Sequence, residues 1–219
     1  MKFNEDSRVK IPSILHLVKL GYTYISLKDN DWDTSTNIFT DIFYGQLKKI
    51  NTNLSQKEAE RFYNEVSLTL ENEDLGRAFY NKLIDQSGVK LIDFENFENN
   101  SFHVVTELPY EKDEDNFRPD IILLINGMPL VFIEVKKPNN RDGVLAEHKR
   151  MQTRFQNKKF RKFINLTQLM VFSNNMQYSD TDTQMLEGAF YSTTNYRKPI
   201  FNYFREEETF DLDKILSPV

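Results

Sequence analysis

Two rhythms of apolar positions run along this 219-residue chain, one of helical period and one of strand period. In VKIPSILHLVKLG (9–21) the apolar residues Ile11, Ile14, Leu15 and Val18 fall at helical spacing. Pro12 is tolerable there only in the first turn, and Gly21 reads as the stop. Tyr22 to Leu27 alternates and predicts a strand, followed by a polar loop over 28–37 and an amphipathic helix over 38–50. Ser55 and Glu58 have capping-box spacing and open a helical region to about Asp85, broken near Glu71–Asp74. Val89 to Phe94 and Phe102 to Leu108 predict strands. Two apolar runs, IILLI (121–125) and LVFI (130–133), flank Asn126-Gly127 and predict a hairpin over about 118–136. Residues 142–163 predict one long helix, with Val144, Leu145, His148, Met151 and Phe155 marking a face. Leu169 to Phe172 reads as a buried strand that ends in a turn at Ser173-Asn174-Asn175, and Tyr191–Tyr196 and Ile200–Arg205 as late strands. Helices interleaved with strands in this order predict an α/β domain on a mixed sheet.

The length suits a single domain over 1–219, with a catalytic core at about 89–178 and a helical embellishment at about 38–86. With 39% hydrophobic residues, 18 Phe and 10 Tyr, there is enough apolar mass for a core, and the early aromatics Phe39, Phe43, Tyr44, Phe62 and Tyr63 read as part of it. The absence of cysteine excludes disulfides, cysteine-zinc sites and thiol nucleophiles. No apolar run approaches the roughly 20 residues of a membrane span, and MKFNEDSRVK lacks a signal-peptide core, so a soluble, cytoplasmic protein is expected. A net charge of −5 argues against strong autonomous binding to DNA. Charge is uneven, however: 107–120 is acid-rich, whereas 149–162 holds Lys149, Arg150, Arg154, Lys158, Lys159, Arg161 and Lys162.

The hairpin carries the chemistry. Glu134 and Lys136 share one face of a strand, and Val135 points the other way. Whether Asp120 joins them is a question of parity. A plain two-residue turn at Asn126-Gly127 would pair 120 with 133 and put Asp120 and Glu134 on opposite faces. An odd loop or an equivalent bulge puts them on the same face. Pro129, which has no N–H, disfavours a clean ladder beside the turn, so an odd loop or an equivalent bulge is expected. Two carboxylates about 4–5 Å apart repel one another, and a hard cation relieves this. Mg²⁺ takes oxygen ligands, and a lysine beside it can orient a water or steady charge on a phosphate. Spacing alone fits an ordinary surface salt bridge of Lys136 with Glu134 equally well.

Arg118-Pro119-Asp120 followed by Glu134-Val135-Lys136 resembles the PD-(D/E)xK nuclease superfamily. The wider context, RPDIILLINGMPLVFIEVKKP with the basic helix after it and QLMVFSNN at 168–175, resembles the N-terminal nuclease domain of the restriction (R) subunit of type I restriction enzymes. Gly21-Tyr22 after the first helix also fits. The resemblance implies a restriction-endonuclease-like mixed sheet flanked by helices, with an extra N-terminal helical region. It implies Asp120, Glu134 and the Val135 carbonyl as ligands of Mg²⁺ (Mn²⁺ substituting) and Lys136 as the catalytic lysine. The implied activity is that of a type I site-specific deoxyribonuclease acting on unmodified double-stranded DNA, beside methylation and specificity subunits. The family's QxxxY motif matches imperfectly: Phe155 stands at the tyrosine and Met151 at the glutamine, with Gln152 one residue late. The basic positions Lys149, Arg150, Arg154, Lys158 and Lys159, with Gln152, are candidates for contact with the DNA backbone.

The chain holds no G-x-x-x-x-G-K-[ST] loop, so ATP dependence would come only from a motor region expected after Val219. An acid at the first helix often completes such sites. Glu5 and Asp6 stand there and read as solvated N-terminal residues. His16, His103 and His148 lack metal-ligand spacing. A repair or junction nuclease sharing the motif, and a silent docking module for partner subunits, are the alternative readings.

Overall fold

The computed structural model describes residues 5–112, 114–137, 141–173, 176–177 and 186–187. Asn174 and Asn175 and both expected late strands lie outside the described residues. Along the chain come α1 (Ile11–Lys19), β1 (Thr23–Tyr24), α2 (Thr40–Ile50), α3 (Gln56–Thr69), α4 (Arg77–Ile84), β2 (Phe102–Thr106) and a ribbon of β3 (Tyr110–Lys112) with β4 (Asp115–Phe117). Then follow β5 (Ile121–Ile125), β6 (Met128–Val135), α5 (Arg141–Phe155), α6 (Arg161–Leu166) and β7 (Leu169–Ser173). Five strands form a mixed sheet in the order β1-β2-β5-β6-β7, antiparallel at β2–β5–β6 and parallel at both edges.

Helices cover both faces, which is why IILLI and LVFI are continuously apolar rather than alternating. One face packs Leu17, Phe43, Leu47, Tyr63, Val66 and Phe79 of α1–α4 against Val104, Leu123, Ile133 and Val171. The other packs Ile122, Phe132 and Phe172 against Met151 of α5, Phe163 of α6, and Tyr110 and Phe117 of the ribbon. The expected capping box is formed: Ser55 Oγ accepts Glu58 N–H, and the Glu58 carboxylate accepts Ser55 N–H.

Four expectations change. The long helix over 142–163 stops at Phe155; Asn157 accepts Lys159 N–H at 3.0 Å, caps a 3-10 turn at Lys158–Phe160, and restarts the chain as α6. The strand over 22–27 shrinks to two residues, because Leu27–Asp29 coils into a 3-10 turn capped by Ser26. Val89 to Phe94 forms no strand. Its backbone bonds to asparagines instead: Lys90 N–H to Asn51 Oδ1 at 2.9 Å, and Asp93 N–H to Asn100 Oδ1 at 2.9 Å. The first helix presents a different face from the one its apolar spacing marks. A π turn at Asp6–Lys10, closed by Ile11 N–H on Asp6 O, precedes Pro12 in the first turn of α1. Leu17 and Val9 are buried, while Ile11, Leu15 and Val18 face out. Among the described residues no helix is long and apolar enough to cross a membrane.

Candidate active site

The hairpin turns over two residues, Asn126 and Gly127, with φ of 52° and 80°, so Ile125 opposes Met128. By itself that turn would separate the two acids. The register then shifts: Leu124 opposes Pro129, but Leu123 opposes Val131, leaving Leu130 as an extra residue. Leu130 and Val131 consequently lie in the same core layer, as a bulge requires. Opposed residue numbers sum to an odd value beside the turn and to an even value beyond the bulge. Ile121 opposes Ile133, so Asp120 falls across from Glu134. The same-face register expected from the sequence is present, delivered by the bulge rather than by an odd loop.

A hydrogen bond fixes the crossing: Val135 N–H donates to Asp120 Oδ2 at 2.9 Å. Lys136 N–H points the opposite way, to Ser173 O of β7 at 2.8 Å. The N–H and C=O of one strand residue point together, so the Val135 carbonyl is also directed to the Asp120 side. Lys136 Nζ donates to Glu134 Oε1 at 2.8 Å and to Val135 O at 3.0 Å. This pair is not a surface salt bridge, since the Glu134 and Lys136 side chains are only 13% and 19% exposed.

Burial and the charge of Asp120 push the Glu134 carboxyl up to about 7. Burial also raises Asp120, against the Val135 N–H and the charge of Lys136. Burial favours a neutral Lys136 amine, but Glu134, Glu147 and Asp120 outweigh it and hold the ammonium above its usual range. Burial thus disfavours the charged form of both carboxyls, and at Glu134 the charge of Asp120 adds to it, which is what a bound cation would relieve. Among the described residues no cluster of three or more His, Cys, Asp or Glu has metal-site geometry. Two carboxylates and one backbone carbonyl remain as donors. That all-oxygen set fits Mg²⁺, which keeps several waters rather than filling its shell from protein.

Several residues meet here that the sequence reading placed elsewhere. Glu5, read as solvated, is half-buried and accepts the Lys137 N–H; burial raises its carboxyl, with the charge of Asp120 adding to it and Lys136 opposing. Asp6 is exposed, as anticipated. Lys10 is buried, with Nζ 2.6 Å from Glu107 Oε1 and 3.9 Å from Asp120 Oδ1. Glu147 of α5 is buried among three cations: Arg150 Nη1 at 2.9 Å, Lys136 Nζ at 3.6 Å and Arg154 Nη1 at 3.6 Å. Its i,i+3 spacing to Arg150 was the one visible signal for Glu147. Nothing local marks Lys10 or Glu107.

The basic positions divide. Lys149, Arg150 and Gln152 are exposed on α5. Arg154 is half-buried, its guanidinium 4.4 Å from the centre of the Phe117 ring. Lys158 pairs with Glu73 at 3.6 Å and Lys159 with Asp115 at 3.0 Å, so the end of the helix breaks the expected basic face. At the positions corresponding to QxxxY, Met151 is buried in the core and Phe155 packs against it, while Gln152 points outward. His103 is half-buried, and burial holds its imidazole below the usual range. The side chain of His148, and those of Val144 and Leu145, lie outside the described residues.

The chain is 27% identical to a putative type I restriction enzyme endonuclease subunit, MjaIXP, of Methanocaldococcus jannaschii, over 240 aligned positions that cover 90% of this chain and 23% of that protein. A second subunit of that organism, the putative MjaVIIIP endonuclease subunit, is 49% identical over 49 residues, 22% of this chain and 5% of that protein. The HindI endonuclease subunit of Haemophilus influenzae is 32% identical over 126 residues, 48% of this chain and 12% of that protein. The chain thus spans about a quarter or less of the length of these relatives. The family model described as "type I restriction enzyme R protein N terminus" matches residues 2–184, and the chain belongs to that family.

Proposed function

We propose that this chain is the Mg²⁺-dependent endonuclease module of a type I restriction–modification system and hydrolyses phosphodiester bonds of unmodified double-stranded DNA. The observation that carries the reading is the bulged hairpin, which sets Asp120 across from Glu134 with Lys136 bonded to Glu134 beside them. Asp120, Glu134 and the Val135 carbonyl would hold Mg²⁺ (or Mn²⁺). When bound, the ion makes a coordinated water more acidic and draws negative charge from the phosphate.

The side chains do the rest. Lys136, tied to Glu134 and Val135 O, keeps an ammonium within reach of a phosphate lying on the carboxylates, where it can orient the attacking water or stabilise charge as it builds. The water oxygen forms the new P–O bond, one bridging P–O bond breaks, and the leaving oxygen takes a proton from solvent. No stretch of the sequence reads as a base-reading module, so sequence choice is assigned to a specificity subunit, with a methylation subunit as the other partner. ATP dependence is assigned to a motor region of the complete subunit.

The test is DNA cutting by the assembled restriction complex, with wild-type, Asp120→Ala and Lys136→Ala chains, in Mg²⁺ and in EDTA. Loss of cutting in both variants and in EDTA is expected, with melting temperatures showing that both variants fold. Cutting that survives either substitution removes that residue from the mechanism.

A further inference from the structure

On each side of the centre an acid is shared between an inner lysine and an outer arginine. On the β2–β5 side, Glu107 takes Lys10 Nζ on Oε1 at 2.6 Å and Arg118 Nε on Oε2 at 3.6 Å. On the β6–β7 side, Glu147 takes Lys136 Nζ at 3.6 Å and Arg150 Nη1 at 2.9 Å. The inner lysines are 10% and 19% exposed and face Asp120 and Glu134 respectively. Both arginines are 62% exposed.

We propose that Arg118 and Arg150 bind the backbone phosphates on either side of the scissile one, so that a DNA strand crosses the sheet from β5 toward α5 over Asp120 and Glu134. This rests on the nuclease reading above and adds the path of the substrate.

Three points carry it. Sheet order places the two arginines on opposite flanks: Arg118 leads into β5 two residues ahead of Asp120, while α5, which bears Arg150, packs on β7 beyond Glu134. Each guanidinium has five donors and meets its acid through one nitrogen, so donors remain for a phosphate, which a planar fork grips in two places. The acids fix the arginines without burying them, which cuts the side-chain entropy lost on binding. Lys149 is exposed on α5 beside Arg150, whereas the remaining cations of the basic stretch are engaged: Arg154 lies over Phe117, and Lys158, Lys159, Arg161 and Lys162 pair with Glu73, Asp115 and Glu71. On a chain of net charge −5, attraction for DNA must come from local groups. Phosphate contacts position a duplex without reading its sequence, as a module that takes specificity from elsewhere requires.

The test is binding of the full chain to a short fluorescein-labelled duplex in EDTA, by anisotropy over a salt series. Arg118→Ala and Arg150→Ala are each expected to weaken binding on the order of tenfold and to reduce the slope of log K against log salt by about 0.9. Arg→Lys at either position should recover the slope but only part of the affinity. Arg61→Ala, at an 83% exposed arginine of α3, is the control and should change nothing. Wild-type slopes in both alanine variants overturn the proposal, as does the absence of salt-dependent binding by the wild-type chain. Failure of the nuclease reading looks different: Asp120→Ala complexes would cut DNA while the arginine slopes still fell.

Discussion

The turn that starts the register between Asp120 and Glu134 has no room for a side chain, and Gly127→Ala measures how much the fold depends on it. Gly127 sits at φ of 80°, and a Cβ there would lie 2.7 Å from Phe39 O and 2.8 Å from Phe43 N, both backbone atoms at the start of α2. The left-handed conformation alone costs an alanine about 1–2 kcal/mol. Relieving the overlap means moving α2 away from the hairpin tip, which loosens the Phe39 N–H to Gly127 O bond of 2.9 Å, worth about 1 kcal/mol. Repacking strain adds about 1 kcal/mol or more. The sum is about 3 kcal/mol at least, and for a domain of this size each kcal/mol moves the melting temperature by roughly 2–4 °C. A fall of about 6–12 °C is expected by calorimetry. Gly45→Ala is the matched control: Gly45 is exposed within α2, has nothing within 4 Å of its Cβ position, and should gain about 0.8–1 kcal/mol of helix propensity. Gly45→Ala should therefore melt about 2–4 °C above wild type. Equal melting temperatures for Gly127→Ala and wild type would refute the claim that the hairpin tip is clamped on α2.

Three further outcomes follow from the site. Glu134 has its folded-state carboxyl raised to about 7 from an ordinary 4.5, so the folded chain binds the proton more tightly than the unfolded one. In EDTA, stability should rise as pH falls from about 7 to about 4.5, and Glu134→Gln should flatten that rise; an unchanged slope in the variant would assign it to another group. Mn²⁺ or Mg²⁺ should raise the melting temperature of the wild-type chain at pH 8, where the carboxylates repel, and leave Asp120→Ala unmoved. Lys158→Ala and Lys159→Ala should leave DNA cutting unchanged, because their ammonium groups pair with Glu73 and Asp115.

Sequence alone determined what short-range physics determines. Two apolar runs around Asn-Gly specify a hairpin, Ser55 with Glu58 starts a helix, and Asp120, Glu134 and Lys136 narrow to one site once their parity is considered. A parity argument needs only the two-residue repeat of a strand, so it could require an odd loop or a bulge without locating it. Tertiary structure chose the bulge at Leu130, because both faces of β6 are buried and the sequence offers no polar residue to mark where the register slips. It also rotated α1, since the π turn before Pro12 shifts which residues face the sheet, and it left 89–94 without a strand because asparagine side chains more than 30 positions away in places supply its hydrogen bonds. The surroundings of the centre were equally hidden. Lys10 lies 97 positions from Glu107, and Glu147 reaches Lys136 across a break between strand and helix. Charged residues have no periodicity that records their partners. Only the folded chain shows that the acids beside this centre hold lysines inward and arginines outward.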